Sequence, residues 1–154
     1  MDRLTLAERS KNMSAIKAKN TSPEIYVRKL LFSAGFRFRL HDKSLPGTPD
    51  IVLKKFKTVV FVHGCFWHGH ENCKKAKMPE TNSVFWIKKI NQNKSRDQKV
   101  VKELIDLDFK VIVIWECACK KSKKDELLSK IVTCITEREG CLFVIGSDDF
   151  SDIS

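Results

Sequence analysis

The sequence predicts one α/β domain, a central mixed sheet flanked by helices. Three observations predict it. Apolar β-branched runs too short for helices recur at Ile51–Leu53, Val59–Val62 and Leu142–Ile145. Helix-period segments alternate with them. The order is helix, helix, strand, strand, strand, helix, strand, helix, strand, the pattern of a layered α/β fold. The 154 residues suffice for one core, and 42% hydrophobic content with only four Pro and six Gly fits a globular chain.

Leu4 to Ala18 reads as a short helix with sparse apolar positions (Leu6, Met13, Ile16) and basic Arg9, Lys11 and Lys17. Residues 1–20 are therefore read as an arm that leans on a partner. Thr21-Ser-Pro-Glu24 starts a helix, with Ser22 able to cap and Pro23 at the first helical position. Gly35 ends it. Phe36-Arg-Phe-Arg-Leu40 alternates with period two and predicts a strand with one wet face. Leu45-Pro-Gly-Thr-Pro49 is a rigid turn that delivers Asp50 to the start of Ile51–Leu53. A short turn, Lys54 to Lys57, leads into Thr58–Val62. The hairpin is expected to set Asp50 and His63 side by side.

Lys74 to Asn82 is a basic loop. A helix follows over Ser83–Asp106, with apolar ends and a middle, Asn91 to Lys99, that has no apolar residue in nine. That middle is expected to face solvent or a polar ligand. Phe109 to Trp115 predicts a buried strand, Lys124 to Arg138 an amphipathic helix, and residues 147–154 an acidic, fraying tail.

A formal charge of +10 points to a polyanionic partner. The basic residues spread through the first forty residues, Lys74 to Lys77, Lys88 to Lys102 and Lys120 to Lys124, and the acidic ones lie largely toward the C-terminus. The polar N-terminus is not a signal peptide, and no apolar run of about eighteen residues would span a membrane. The expected location is cytoplasmic, with the protein held at the nucleoid through DNA. In that compartment six Cys are thiols or metal ligands rather than disulfides.

The chemistry concentrates in one stretch. After Val59–Val62 the chain breaks at Gly64. His63 to Cys73 holds three His, two Cys and two aromatics in eleven residues. Thiols and imidazoles at such spacing suit zinc, and the aromatic pair offers faces for stacking. Asp50 before a strand–turn–strand is how many metal-dependent nucleases begin, with a carboxylate on a hard cation. Those nucleases carry Glu-x-Lys on the second strand. Here Phe61-Val62-His63 stands instead, with an imidazole in place of the lysine.

These words together resemble the Vsr family, the very-short-patch-repair DNA mismatch endonucleases. The carrying segments are Arg9-Ser-Lys-Asn-Met-Ser-Ala-Ile16, Thr21 to Glu24, Leu45-Pro-Gly-Thr-Pro-Asp50 and Phe61-Val-His-Gly-Cys-Phe-Trp-His-Gly-His70. Phe85-Trp-Ile-Lys-Lys-Ile-Asn-Gln-Asn93, Arg96-Asp97 and Val113-Ile-Trp-Glu-Cys117 complete them.

The resemblance implies a restriction-endonuclease-like mixed sheet flanked by helices, with a structural zinc. It implies a nick 5′ to the T of a T·G mismatch, the product of 5-methylcytosine deamination. Asp50 would bind the catalytic magnesium, and His68 would act as general base or assist the attacking water. His63 and Glu24 complete the site, Glu24 either orienting His68 or holding a water on the metal. Cys65, His70, Cys73 and Cys117 would bind zinc. Glu71-Asn72 lengthens the loop before Cys73, and Cys119 is a rival sulfur. Cys134 and Cys141 are expected to be buried thiols.

By the same resemblance Phe66, Trp67 and Trp86 form a wedge that enters the duplex from the major groove. Met13 and Ile16 press from the minor groove, and Lys89 and Asn93 read the wobble pair. The implied partners are mismatched double-stranded DNA and a MutL-type repair factor, with the protein a monomer. Two other readings compete: a zinc-stabilised DNA-binding module without catalysis, and a nuclease of different target specificity on the same scaffold.

Overall fold

The computed structural model describes residues 19–147. The Leu4 to Ala18 segment, with Met13 and Ile16, lies outside the described residues, as do 148–154 of the tail.

The sheet has five strands in sequential order: β1 (Arg39–Leu40), β2 (Ile51–Leu53), β3 (Thr58–His63), β4 (Lys110–Trp115) and β5 (Leu142–Ile145). β1, β2 and β3 pair antiparallel, whereas β3–β4 and β4–β5 are parallel. The parallel pairs need crossovers, which α2 (Ser83–Asp106) and α3 (Lys124–Thr136) provide. The first described helix, α1 (Ser22–Ser33), precedes the sheet. The mixed sheet flanked by helices is therefore the predicted one.

β3 is buried at every position because both faces of the sheet are covered. One face carries Ile51, Leu53, Val60, Val62, Ile112 and Ile114 against Val27, Leu30 and Leu31 of α1 and Leu127, Ile131 and Ile135 of α3. The other carries Val52, Val59, Phe61, Val111 and Val113 against Leu104 of α2. The period-two alternation is thus preserved inside runs that are apolar throughout. Among the described residues no helix is long and apolar enough to cross a membrane.

Several local expectations shift. The α1 cap is Thr21, not Ser22: its hydroxyl accepts from Glu24 N at 3.4 Å, and Pro23 lies one position into the helix. The alternation of Phe36 to Leu40 survives as burial, with Phe36 and Phe38 against the core, but only Arg39 and Leu40 join the ladder. Lys110, which interrupts an apolar run, reaches the end of α3. Its ammonium donates to the carbonyls of Cys134, Ile135 and Glu137, the unpaired acceptors of a helix C-terminus. Cys141 is exposed, because it precedes the edge strand β5, and Cys134 is half-buried.

The hairpin register pairs Ile51 with Val60. One residue on, Asp50 comes opposite Phe61 rather than beside His63. Its carboxylate instead accepts from Val62 N at 2.8 Å. The turn that delivers it is tight against α2: a Cβ on Gly47 would lie 2.4 Å from Val100 Cγ1, and Gly47 has φ +71°.

Leu104 is the fully buried side chain through which α2 packs on the sheet. Leu104→Ala should cost about 2–5 kcal/mol of unfolding free energy in urea denaturation. Val84→Ala, on a side chain 80% exposed, should stay within about 0.5 kcal/mol of the parent.

Candidate active site and metal centre

Beyond β3 the chain has no regular structure until residue 74, yet it is held as a knot. His68 N bonds Gly64 O at 3.1 Å, Gly69 N bonds Phe66 O at 3.3 Å and His70 N bonds Cys65 O at 2.9 Å. Gly69 has φ +64°, and a Cβ there would meet Ile90 Cγ2 at 2.6 Å and Lys94 Cδ at 2.9 Å. The loop can lie this close to α2 only with glycine at that point.

Cys65, His70, Cys73 and Cys117 bring one ligand atom each within 4.8 Å of one another. Cys117 Sγ lies 3.5 Å from His70 Nδ1. Thiolate and imidazole on a tetrahedral zinc would be about 3.6 Å apart. Burial, and then the neighbouring Cys117 and Cys73, push the Cys65 thiol up. Three crowded thiols ionise together only around a cation, so the cluster suits a metal. The surrounding contacts support the ligands: Ser147 N approaches Cys117 Sγ at 3.4 Å, Glu116 accepts from Cys65 N at 3.1 Å, and Trp115 stacks on His70 at 4.2 Å. Cys119 points elsewhere, its sulfur 4.0 Å from Trp115 O and packed against the main core. Burial raises its thiol to about 12.

His68 sits on the same loop. Its ring stacks on His63 at 3.8 Å and 3°, and its Nδ1 lies 2.6 Å from Asp97 of α2. A carboxylate on Nδ1 keeps a proton there and leaves the Nε2 lone pair for other work. Burial, then the nearby His68, lowers His63 to about 3. His63 is therefore neutral near neutral pH, and its flat ring walls His68 without adding charge.

Asp50 lies near the end of the sheet where β3 finishes. Burial raises its carboxyl to about 6, the Val62 N–H works against that, and Glu24 raises it further. His68 is close enough to act on it electrostatically. A cation there would restore the charged form of Asp50, and Glu24 offers a second oxygen donor beside it. Glu24, in the first turn of α1, does not turn toward His68. Its Oε2 accepts from Asn20 N at 2.9 Å and Arg28 at 3.1 Å, and lies 3.1 Å from His41 Nε2. Glu24, His41 and Asp50 form a group able to hold a cation.

Phe66, Trp67 and Trp86 form one cluster of edge-on rings, with centroids 5.3, 5.4 and 5.7 Å apart. Phe85 extends it at 5.1 Å from Trp86. Asn93 already serves the loop: its amide nitrogen donates to Trp67 O at 2.9 Å and its oxygen accepts from Arg96 at 2.8 Å. Lys89 is exposed.

The polar middle of α2 is thus accounted for. Ile90, Asn93, Lys94 and Asp97 continue one inward stripe at spacings of three and four, and the polar members meet the polar loop. Asp97 and His41 had no role in the sequence reading. Asp97 was visible as a carboxylate one turn beyond Asn93 on that stripe. His41 needed the register: Leu40 pairs with Ile51, so His41 comes opposite Asp50 and bonds its carbonyl at 3.3 Å.

A mixed sheet with paired carboxylates, an oriented imidazole and a thiol–imidazole knot at one end has the parts of a metal-assisted hydrolase. The family model for DNA mismatch endonuclease Vsr matches residues 1–75. The chain is 51% identical over 132 residues to the type II nicking enzyme V.NmeAIP of Neisseria meningitidis serogroup A, covering 85% of this chain and 94% of that one. It is 47% identical over 116 residues to the type II nicking enzyme V.XorIIP of Xanthomonas oryzae pv. oryzae, covering 75% and 85%. It is 43% identical over 126 residues to the DNA mismatch endonuclease Vsr of Escherichia coli K12, covering 80% of each chain. The protein is a DNA endonuclease, and it belongs to the Vsr family.

Cys73→Ser should lower both bound metal per chain, read by elemental analysis, and the melting temperature. Cys119→Ser should leave metal content unchanged. Equal metal loss in both variants would return Cys119 to the ligand set.

Proposed function

We propose that this protein nicks one strand of duplex DNA on the 5′ side of the T in a T·G mismatch. The observation that carries the reading is the shared loop. The imidazole oriented by Asp97, three of the four members of the thiol knot and two of the three clustered rings belong to residues 65–73, so cutting and recognition groups share one loop. The Escherichia coli relative is named a mismatch endonuclease, and that name supports the target.

In this reading Asp50 holds magnesium, which suits an oxygen donor beside a phosphate, and zinc occupies the thiol knot. Bound magnesium would polarise the scissile phosphate and favour ionisation of water. The rest falls to the chain's own residues. His68 Nε2 takes the proton from the attacking water, its tautomer set by Asp97 on Nδ1. His63 fixes the plane of that ring. Glu24, anchored through one oxygen, completes the carboxylate pair beside Asp50. Phe66, Trp67 and Trp86 enter the base stack beside the mismatch, where opening a step costs a few kcal/mol and stacking on the rings offsets it. A wobble pair lowers that cost. Lys89 is exposed and would contribute positive charge toward the duplex, whereas the amide of Asn93 holds the ring-bearing loop.

The names of two relatives, type II nicking enzymes, favour a second reading in which sequence context, rather than the mismatch, directs the nick. Matched duplexes that differ only by T·G or C·G at one site separate the two. With magnesium, a nick beside T and none in the paired duplex is expected. Equal cutting of both would keep the nuclease and reject mismatch recognition. Asp50→Ala should abolish cleavage while mismatch binding, measured by gel shift, changes little; unchanged turnover would remove Asp50 from the reaction. Asp97→Asn, which no longer holds the charge partner of His68, should lower single-turnover cleavage about tenfold to a hundredfold. Its affinity for the mismatched duplex should be unaltered.

A further inference from the structure

His41 is the one member of the carboxylate group to which the proposed reaction gives no part. It follows β1 with φ +47°, a left-handed backbone that a histidine adopts at some cost. That backbone brings a ring nitrogen within 4.8 Å of an oxygen of each carboxylate. Its Nε2 lies 3.1 Å from Glu24 Oε2 and 3.3 Å from Arg28 Nη2. These two contacts conflict. A protonated Nε2 serves the carboxylate and opposes the guanidinium; a bare Nε2 does the reverse.

A cation between the imidazole and the carboxylates removes the conflict, because Nε2 and Oε2 then both present lone pairs to it. The spacing agrees: adjacent ligands of a six-coordinate ion at about 2.2 Å lie about 3.1 Å apart. Arg28 Nη2 donates both to Glu24 Oε2 at 3.1 Å and to Asn20 Oδ1 at 2.7 Å, and it keeps the second partner when Oε2 turns to the cation. The two carboxylates are each tied by a backbone N–H through Oδ2 of Asp50 and Oε2 of Glu24. Among the described residues no hydrogen bond falls on the other oxygen of either group.

We propose that Glu24, His41 and Asp50 form a mixed nitrogen–oxygen cation site in which His41 is a ligand, biasing the site toward manganese(II) over magnesium. The inference rests on the reading of Asp50 as the carboxylate that holds the catalytic cation. Magnesium favours oxygen and sheds water reluctantly, whereas an imidazole adds affinity for a transition metal. Asp50 alone would not discriminate in this way.

The test uses the full-length protein with its thiol knot loaded. Manganese(II) chloride and magnesium chloride are titrated calorimetrically, and bound manganese is examined by electron spin echo spectroscopy for a directly coordinated nitrogen. The parent should show the nitrogen coupling. His41→Asn tolerates the left-handed backbone with a shorter side chain, and His41→Gly relieves it entirely. Both should lose the coupling and bind manganese at least about tenfold more weakly, with magnesium affinity nearly unchanged. Coupling retained in both variants would assign the nitrogen to another imidazole and overturn the proposal, as would a parent without coupling. Asp50→Ala separates the underlying reading. If it binds manganese as tightly as the parent, Asp50 is not a ligand and that reading fails. If it loses manganese while the His41 variants do not, Asp50 stands and His41 falls.

Discussion

The structure depends on fixing a polar loop, residues 64–73, that has no ladder or helix to hold it. A loop with two imidazoles, two thiols and two large rings would otherwise sample many arrangements, and each ordered residue costs about 1–2 kcal/mol of backbone entropy. Its own hydrogen bonds are few. With a metal bound, the sulfur–imidazole cluster would fix it, joining Cys65, His70 and Cys73 to Cys117 at the far end of β4. Because β3 and β4 are parallel neighbours, their C-terminal ends emerge side by side, with His63 paired to Trp115. The knot therefore spans a short gap between rigid strands, and the side chains it carries inherit the precision of the sheet.

The second restraint is electrostatic. At the other margin of the site the sheet buries Glu24 to 2% exposure and crowds Asp50 beside it. Unpaired carboxylates there would be costly. The backbone meets part of that cost, since an N–H from Val62 and one from Asn20 each hold one carboxylate oxygen. Both groups are oriented before any ligand arrives, which is the preorganisation that metal-assisted chemistry uses. The backbone around them is correspondingly unusual: His41, Gly47 and Thr48 all have positive φ within the turn that brings β1 back to β2. Thr48 is β-branched, and strain of this kind persists where the surroundings enforce it.

Much of this architecture was legible in the sequence, and the reasons differ by element. β3, β5 and α2 were readable from apolar runs and spacing, and α2 from Ser83 to Asp106 matches throughout. The four-residue thiol–imidazole group was readable once Val113 to Cys117 resembled the end of a family strand, because a thiol on a remote strand has no local pattern. Asp97 was visible as a carboxylate on the α2 stripe, but its pairing was hidden because His68 lies 29 residues away across a loop. His41 was hidden because its meaning depends on a two-residue strand that propensity cannot delimit. For Glu24 the sequence left two roles open, orienting His68 or holding a water on the metal; its side-chain partners are Arg28 and His41, so the first is not what the structure shows. Ser22 and Thr21 are both good caps, and only the entry direction of the chain decides between them.

The aromatic cluster and the general-base candidate share supports, and that sharing bears on selectivity. Trp86 opens α2, Asn93 lies two turns on and Asp97 one turn beyond; Asn93 grips the Trp67 carbonyl while Asp97 grips His68. A displacement of the loop at Phe66 or Trp67 must pass through His68, one residue further along, because both are tied to the same helix face. Should the rings seat beside a wobble pair, the loop keeps the position that Asp97 requires. A well-stacked pair that resists the rings would push the loop against α2, where Gly69 leaves no slack between the backbone and Ile90. On the proposed reading discrimination would then act on the rate of cutting as well as on binding, since His68 and the rings share one loop. The carboxylate pair stands outside that linkage, on α1 and the β1–β2 turn, so cation binding at Asp50 need not sense the sequence being cut.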